Sequence, residues 1–370
     1  MAGRLPAYFS SEELGEAAVY CHLRKTLRSA LVVFMLCLLI SSFSGTSPAD
    51  PANPPLSGTY LQLLHRHTEW DEADWRQLFN DFKTLRISKL VIQWSVSSDL
   101  AFYPSETYRS KGKFPLPFIL KLADEAGFEV HIGLWHDPNF WNNIKGAPEL
   151  LESYLRHSRY RSKTIAKEIA LMAQAHDSFQ GWYIGEEIDD SNWNEPIRRK
   201  ILLDHLANLT EDLREITPGA ELGISSFSNA RLDPESFCVF WKTILAQSSI
   251  DTLYFQDGIG THKLEMNYLP LYLDAVNRAA NDSGCALSIV VELFEQKTEK
   301  GIPVESFQAI PAPLSRIERQ MELAARHSKN RTMAFSIPDY MSSSGVDTAQ
   351  HLYRDYMRKF IEPIQPGSVD

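Results

Sequence analysis

Residues 181–216 read GWYIGEEIDDSNWNEPIRRKILLDHLANLTEDLREI, a short apolar run followed by a long amphipathic stretch. In Gly181–Glu187, aromatic and branched residues alternate with other residues, as they do in a β-strand with two different faces. Pro196–Ile216 begins with proline and carries leucines at helical spacing. The segment therefore predicts a strand that is followed by a helix.

The same strand–helix unit recurs along the chain after Pro55. Such alternation predicts parallel strands joined by right-handed crossovers. Eight units in about 300 residues predict a single (β/α)8 TIM barrel. We place its strands at Gly58–His65, Lys89–Val96, Glu129–Trp135, Gly181–Glu187, Glu221–Phe227, Thr252–Gln256, Ala286–Glu292 and Thr332–Pro338. Helices are expected at Asp71–Leu85, Pro115–Ala126, Tyr160–His176, Pro196–Ile216, Pro234–Ala246, Tyr268–Ala280 and Pro313–His327.

An open, doubly wound sheet is the alternative architecture for this alternation. It would carry a glycine-rich phosphate turn after the first strand, and Gly58–Trp70 contains none. The strand patterns also favour closure, because bulky apolar side chains should face the helices and the other set the barrel interior. This rule directs Trp182 and Ile184 outward, and it directs Glu187 and Glu292 inward.

The composition limits the class of protein. The chain has 370 residues, of which 44% are hydrophobic and 23% charged, and its formal net charge is −10. These values exclude a disordered or fibrous protein. The acidic balance argues against a nucleic acid partner, because no basic stripe is present to neutralise phosphates. The four cysteines show no CxxC or Cys/His spacing, so neither a disulfide framework nor structural zinc is expected.

An apolar run precedes the repeating units. Residues 29–43 read SALVVFMLCLLISSF, with Arg24, Lys25 and Arg28 just before them and a proline-rich stretch at 47–55. A basic region, a short apolar core and small residues describe a secretory signal, and the run is shorter than the ~20 residues that span a bilayer comfortably. We expect a periplasmic or secreted protein. The alternatives are an uncleaved inner-membrane anchor through residues 29–43, or a helix buried in the fold.

These features divide the chain into three parts. Residues 1–55 hold a cytosolic n-region, the signal or anchor segment and a proline-rich linker, residues 56–362 form the barrel domain, and residues 363–370 are a tail. We expect a monomer. Cys238 and Cys285 are predicted to be unbonded, because they would lie at opposite ends of the barrel, whereas the Cα atoms of a disulfide lie within about 7 Å.

Barrel enzymes bind their substrates at the carboxyl ends of the strands, where this sequence concentrates polar and aromatic residues. Glu187 ends strand four and Glu292 ends strand seven. Glycoside hydrolysis needs one protonated carboxyl group and one carboxylate, with pKa values that the environment separates. The two glutamates fit such a pair, and the alternative is that each forms a structural ion pair with an arginine at the rim.

Other residues at the strand ends are candidate sugar ligands. The faces of tryptophan side chains stack on sugar rings, so Trp141 and Trp193 are predicted platforms in loops, whereas Trp182 is predicted to be core. Asp257 precedes two nearby glycines, so a tight turn is its alternative role, and His136 is a weaker candidate. The predicted substrate-binding residues are Gln93, Trp94, Trp135, Asp137, Glu186, Gln256, Asp257 and Tyr340.

Four segments carry a resemblance to a known family. They are GTYLQLLHRHTEWDEADWRQLFNDFKTLRISKLVIQWS, GWYIGEEIDDSNW, YFQDGIG and VVELFE. They resemble a bacterial family of glycoside-hydrolase-like TIM barrels, a domain of unknown function, from Gly58 to about Ser343. More distantly, strand four is similar to that of the retaining glycosidase clan, in which Asn-Glu supplies the acid/base. That resemblance implies an acid/base at Glu187 and a nucleophile at Glu292, with Glu186 at the position of the asparagine.

Three functions follow from these observations. The leading hypothesis is an exported glycoside hydrolase with a carbohydrate substrate and no metal or organic cofactor. The second is a non-catalytic carbohydrate-binding barrel in polysaccharide export or assembly. The third is a metal-dependent barrel of the sugar-isomerase type, whose ligands would be His136, Asp137, Glu187, Asp257 and Glu292.

Overall fold

Eight parallel strands form a closed barrel in the computed structural model, which describes residues 56–297, 307–329 and 331–362. Each strand pairs with the next along the chain, and β8 closes the barrel on β1. The (β/α)8 TIM barrel prediction is therefore confirmed. The strands are β1 (Gly58–Leu61), β2 (Lys89–Ile92), β3 (Glu129–Gly133), β4 (Phe179–Ile188), β5 (Glu221–Ser226), β6 (Thr252–Gln256), β7 (Ala286–Glu292) and β8 (Thr332–Phe335).

A helix follows each strand and packs outside the barrel. The first, α1, begins after Asp71, whose carboxylate accepts hydrogen bonds from the amide groups of Ala73 and Asp74. The second, α2, ends at Gly127, which adopts the left-handed conformation with φ 69°. The helices are α1 (Glu72–Thr84), α2 (Pro115–Ala126), α3 (Pro148–Gln174), α4 (Pro196–Ile216), α5 (Pro234–Ser248), α6 (Leu269–Asp282), α7 (Leu314–Ser328) and α8 (Asp347–Tyr356).

Several predicted boundaries differ from the observed ones. The helix predicted at Tyr160–His176 begins three turns earlier, at Pro148, because the charged residues of its first turns face solvent and weaken the apolar pattern. The eighth strand ends at Phe335 instead of Pro338, since residues 337–340 form a short helix. Two more short helices lie at residues 65–68 and 140–143.

The two sides of the barrel wall carry the side chains that the alternation predicts. Trp182, Ile184 and the odd-numbered residues of β7 belong to the large cluster between barrel and helices. The barrel interior holds a separate cluster of six buried side chains, in which the Tyr60 ring packs edge-on against two other tyrosines. The members of this inner cluster are Tyr60, Val91, Tyr183, Tyr254, Val290 and Met333.

The two cysteines in the described part of the chain are free. Cys238 lies in α5 and Cys285 just before β7, and both are buried. The prediction that they are unbonded is confirmed. The predicted leader and tail, residues 1–55 and 363–370, lie outside the described residues. Among the helices that the structure does describe, none has the length and apolar character needed to cross a membrane.

An ion-pair cluster joins α3 to α4. Arg159 Nε and Lys163 Nζ each lie 2.6 Å from a carboxylate oxygen of Asp212, whose side chain is 5% exposed. Burial opposes the ionisation of Asp212, but the hydrogen bonds from the two cations outweigh it and lower the pKa of the carboxyl group. Ionised Asp212 therefore favours the folded state.

Replacing Asp212 by alanine is expected to lower the free energy of unfolding by about 1–3 kcal/mol at pH 7. A carboxyl group whose folded pKa is depressed stabilises the protein above its unfolded pKa of about 3.9 and loses this effect as the pH falls through the folded pKa. The difference in the free energy of unfolding between wild type and variant should therefore become smaller below about pH 4. Urea denaturation at pH 7 and at pH 3 measures this difference at both pH values.

The exposed neighbour Glu211 supplies the matched control. Glu211→Ala should stay within about 0.5 kcal/mol of wild type at both pH values. An Asp212→Ala deficit that is equally large at pH 3 and pH 7 would show that lost packing, not lost charge, is the cause.

Candidate active site

A cavity of about 720 Å³ lies at the carboxyl ends of the barrel strands. Its walls combine aromatic side chains with polar ones from seven of the eight strand ends. A larger groove, of about 960 Å³, lies between α3 and α4 and is lined by none of the predicted site residues. The side chains used below line the smaller cavity: Gln93, Trp94, Trp135, Asp137, Trp141, Glu186, Glu187, Gln256, Lys263, Glu292 and Tyr340.

Glu187 lies near the end of β4 and lines this cavity. Its carboxylate accepts a hydrogen bond of 2.9 Å from the Gln256 amide nitrogen, which comes from the end of β6. Burial raises the pKa of the Glu187 carboxyl group, while the charge of Lys263 and the bond from Gln256 oppose this shift. In the described part of the chain Glu187 forms no ion pair. The alternative role, a structural ion pair with an arginine at the rim, is therefore not observed.

Glu292 ends β7 and opens into the same cavity. The backbone amide of Thr261 donates a 2.9 Å hydrogen bond to its Oε2 atom, and the Thr261 hydroxyl lies 3.3 Å from both oxygens. Burial and the neighbouring charge of Asp257 raise the pKa of Glu292 to about 7, whereas the Thr261 amide and Lys263 favour the anion. No described lysine or arginine forms an ion pair with Glu292.

The loop after β6 packs closely against the side chain of Glu292. Gly258 has φ 67°, a conformation that glycine adopts without strain, and the turn brings Gly260 against the glutamate. A Cβ atom on Gly260 would lie 3.0 Å from Glu292 Oε2 and would overlap the carbonyl oxygen of Phe294. Thr261 follows directly and supplies the two donors, so residues 258–261 fix the position of the Glu292 carboxylate.

The prediction that Asp257 binds substrate is not what the structure shows. Asp257 is 1% exposed and does not line the cavity. Its Oδ2 atom accepts a 2.5 Å hydrogen bond from Gln320 of α7, and its Oδ1 atom accepts bonds from the amides of Ile259 and Glu292. Burial raises its pKa to about 6. Through these hydrogen bonds Asp257 supports the strand end that carries Glu292.

Glu186 was also predicted to bind substrate, but its carboxylate points to the helical shell. Its Oε1 atom accepts hydrogen bonds from Ser158 of α3 at 2.5 Å and from His205 of α4 at 3.1 Å. The residue is 4% exposed, and burial is outweighed by His205, so that its pKa is lowered. Glu186 also lines the cavity, beside Gly185 and Glu187, at a point where the register of β4 shifts.

The remaining predicted polar ligands all line the cavity, with different freedom to bind a ligand. The Asp137 carboxylate accepts hydrogen bonds from Asn139, Asn143 and Tyr154, which hold the loop after β3. Gln93 accepts a 2.8 Å bond from Gln62 and retains its amide donors. Tyr340 lies on the short helix after β8, and burial raises its pKa to about 12.

The tryptophans divide into wall residues and core residues. Trp94 stacks on the imidazole ring of His136, with centroids 4.0 Å apart, and both line the cavity. Trp135 and the 36% exposed Trp141 also line it. Trp193 is fully buried, so the prediction that it forms a platform is wrong. Its indole ring lies beneath the guanidinium group of Arg198, which is in the first turn of α4. Trp193 itself lies in the loop before α4, where the sequence pattern could not show that it is buried.

Lys263 lines the cavity although the sequence did not predict it as a site residue. Lys263 lies two residues after Thr261, and its ammonium group sits 3.3 Å from the centroid of the Phe227 ring. Burial lowers the pKa of Lys263, while the charges of Glu187, Glu292 and Asp189 oppose this shift. A lysine in a polar loop reads as an exposed residue, so no signal in the sequence pointed to it.

The predicted ligands of a metal-dependent barrel do not form a cluster. Across the three described ranges, no group of three or more histidine, cysteine, aspartate or glutamate side chains is placed to hold a metal ion. Of the five candidates, Asp257 is turned toward α7, and Asp137 is bonded within the loop after β3. The Nδ1 atom of His136 is hydrogen-bonded to the Ser97 hydroxyl, which lies in the loop after β2. The geometry therefore lends no support to the metal-dependent alternative.

The chain matches a known protein family over most of its length. Residues 56–346 match the family described as Domain of unknown function (DUF4434). The chain belongs to this family. Another similar sequence is the "Uncharacterized protein YbcH" of Escherichia coli (strain K12), which is 26% identical to this DUF4434 protein over 311 residues, 84% of this chain and 96% of YbcH.

Solved structures of glycoside hydrolases share the fold of this DUF4434 protein. A "putative alpha-L-fucosidase" of Bacteroides thetaiotaomicron VPI-5482 matches with a TM-score of 0.67 and 18% identity, over 85% of this chain and 96% of its own. A beta-galactosidase from the psychrophilic Marinomonas ef1 matches with a TM-score of 0.50 and 9% identity, over 76% of this chain and 53% of its own. The chain thus has a glycosidase-like barrel, and identities this low speak to the fold alone.

Proposed function

We propose that this protein is a glycoside hydrolase that cleaves a polysaccharide or oligosaccharide by a two-carboxylate mechanism. The observation that carries the proposal is the pair of inward glutamates, Glu187 on β4 and Glu292 on β7, which open into one aromatic-walled cavity. Two buried carboxyl groups facing one cavity are what cleavage of a glycosidic bond requires. The fold that the chain shares with a putative alpha-L-fucosidase is compatible with this reaction class.

Glu187 acts as the general acid in the first step. It gives its proton to the oxygen of the leaving sugar as the bond between that oxygen and the anomeric carbon breaks. Burial raises the pKa of Glu187, which favours the protonated form that a general acid needs. Gln256 holds the carboxyl group in position from the neighbouring strand end.

Glu292 acts as the nucleophile. Its carboxylate bonds to the anomeric carbon as the leaving sugar departs, and the resulting ester is then broken by water, whose proton passes to Glu187. Glu292 must be ionised to attack, and its pKa is raised to about 7 by burial and Asp257. We therefore expect activity to rise as the pH increases through about 7.

The aromatic walls supply the sugar-binding surface. Trp94, Trp135 and Trp141 present ring faces or edges to the cavity, where sugar C–H groups can pack against them. Gln93 and Tyr340 add side chains that can exchange hydrogen bonds with hydroxyl groups. We also propose that the protein acts outside the cytoplasm, which rests on the basic and apolar leader at residues 24–43.

A screen of the purified full-length protein tests the proposal. Bacterial exopolysaccharides and plant glycans are incubated with wild type and with Glu292→Gln, and released reducing ends are measured. The variant should release them at least about 10³-fold more slowly, because a neutral amide cannot replace the nucleophile. Glu295→Gln is the matched control. Glu295 lies on the short strand Phe294–Gln296 with its carboxylate 3.9 Å from Arg316, so this variant should keep the wild-type rate.

Two results would contradict the proposal. Equal rates for wild type and Glu292→Gln would remove Glu292 from the mechanism. Saturable binding of a glycan by wild type without release of any reducing ends would favour the non-catalytic carbohydrate-binding barrel instead.

A further inference from the structure

The ammonium group of Lys263 has no hydrogen-bond partner among the described residues, unlike the acidic side chains that line the cavity. Each acidic side chain there accepts a hydrogen bond from the protein: Asp137 from Asn143, Glu186 from Ser158, Glu187 from Gln256, Glu292 from Thr261 and Asp339 from Ser336. Among the described residues that line the cavity, Lys263 is the sole lysine or arginine. Within the described ranges its ammonium group contacts the Phe227 ring and forms neither a hydrogen bond nor an ion pair.

An ammonium group in this position has donors to offer. It carries three N–H donors and is strongly hydrated in water, so its enclosure is costly unless acceptors replace the lost water. The Phe227 ring face offsets part of this cost through the cation–π interaction but accepts none of the three hydrogen bonds in full. The missing acceptors are therefore expected from whatever fills the cavity.

The neighbouring carboxylates do not take this role. Glu187, Glu292 and Asp189 act on Lys263 through their charges, but none lies within ion-pair distance of it. Asp189 accepts bonds from the amides of Ser191 and Asn192 and from the Asn229 side chain. With the acidic groups held by other donors, the lysine is left as a positive charge of the cavity wall without an ion-pair partner among the described residues.

We propose that Lys263 binds an anionic substituent of the substrate, and that the substrates are glycans containing uronic acids. The carboxylate of such a sugar accepts charge-assisted hydrogen bonds from an ammonium group, which are stronger than those of a neutral hydroxyl. Neutral hydroxyls are already served by the amide and phenol side chains of the same walls. This inference rests on the proposed function for the site, and its test is a binding measurement that does not require turnover.

Matched pairs of oligosaccharides test the inference. Oligomers of glucuronate, galacturonate and mannuronate are each compared with their carboxyl-reduced, neutral counterparts in the full-length Glu187→Gln variant, in which turnover is slowed. Titration calorimetry should show at least one acidic oligomer binding about 10-fold or more tightly than its neutral counterpart. Adding Lys263→Met should bring that ratio close to one by weakening the acidic member alone.

Two further variants make the test specific. Lys263→Arg retains the charge and should keep a preference for the acidic member, which guards against misfolding of the methionine variant. Lys167→Met removes an exposed lysine from α3 and should leave both affinities unchanged.

Three outcomes separate the inference from its rivals. If no pair shows a preference for the acidic member, the inference is wrong. If Lys263→Met weakens acidic and neutral members equally, the lysine does not distinguish an anionic substituent, and the inference is again wrong. If the acidic preference depends on Lys263 but wild type releases no reducing ends from that oligomer, the inference stands and the proposed hydrolysis fails.

Discussion

Glu187→Gln is expected to slow the hydrolysis of natural glycosides about 10²–10⁴-fold, while dinitrophenyl glycosides lose far less. An alkoxide leaving group needs the proton that Glu187 supplies, whereas dinitrophenolate departs without one. The variant should also lose the fall in activity at high pH, because that fall reports deprotonation of the acid, whose pKa burial raises. Parallel rate measurements on both substrate types across the pH range check this result.

The adjacent Glu186 provides a matched control for this experiment. Glu186→Gln makes the same substitution one residue away. The Glu186 carboxylate accepts hydrogen bonds from Ser158 and His205, so it is not free to give a proton to a leaving group. Glu186→Gln should therefore show no dependence on the leaving group. If Glu292→Gln, and not Glu187→Gln, spares the dinitrophenyl substrate, the two glutamates have the opposite roles.

Gly260→Ala is expected to reduce activity about 10²-fold or more. The added Cβ atom would overlap the Phe294 carbonyl oxygen and lie 3.0 Å from Glu292 Oε2. A backbone atom cannot move aside as a flexible side chain does, so the loop must shift and take the Thr261 donors with it. The free energy of unfolding should also fall, by about 2–4 kcal/mol.

Comparison with Gly146→Ala separates this effect from a general cost of replacing glycine. The nearest atom to a Cβ at position 146 is the Leu150 Cβ at 3.3 Å, and no cavity glutamate lies nearby. That variant should keep its activity. A Gly260→Ala protein that hydrolyses substrate at the wild-type rate would show that the loop does not position Glu292.

The barrel itself could be predicted because its wall imposes a pattern on the sequence. In β7 the outward residues pack against helices and the inward ones against the barrel axis, so apolar size alternates along the strand. The same pattern placed Glu187 and Glu292 in the interior. This pattern repeats within each strand, which is why the local sequence sufficed.

The loops could not be predicted in the same way. The direction of Asp257 is set by the turn at Gly258 and by Gln320, a residue 63 positions later in the chain. Trp193 and Lys263 occupy loops in which no periodic pattern reports burial. Their surroundings depend on residues that are distant in sequence, so residue type alone assigned one as exposed and omitted the other.

Helix α3 has a consequence beyond its place in the shell. At 27 residues it is about 40 Å long. Its second half packs on the barrel through Ile165 and Ile169, while Tyr154 in its first half reaches the cavity. One rigid rod therefore carries both a flank of the core and a wall of the site. A protein evolving toward new substrates could adjust that wall through distant apolar substitutions, without touching the side chains that meet the ligand.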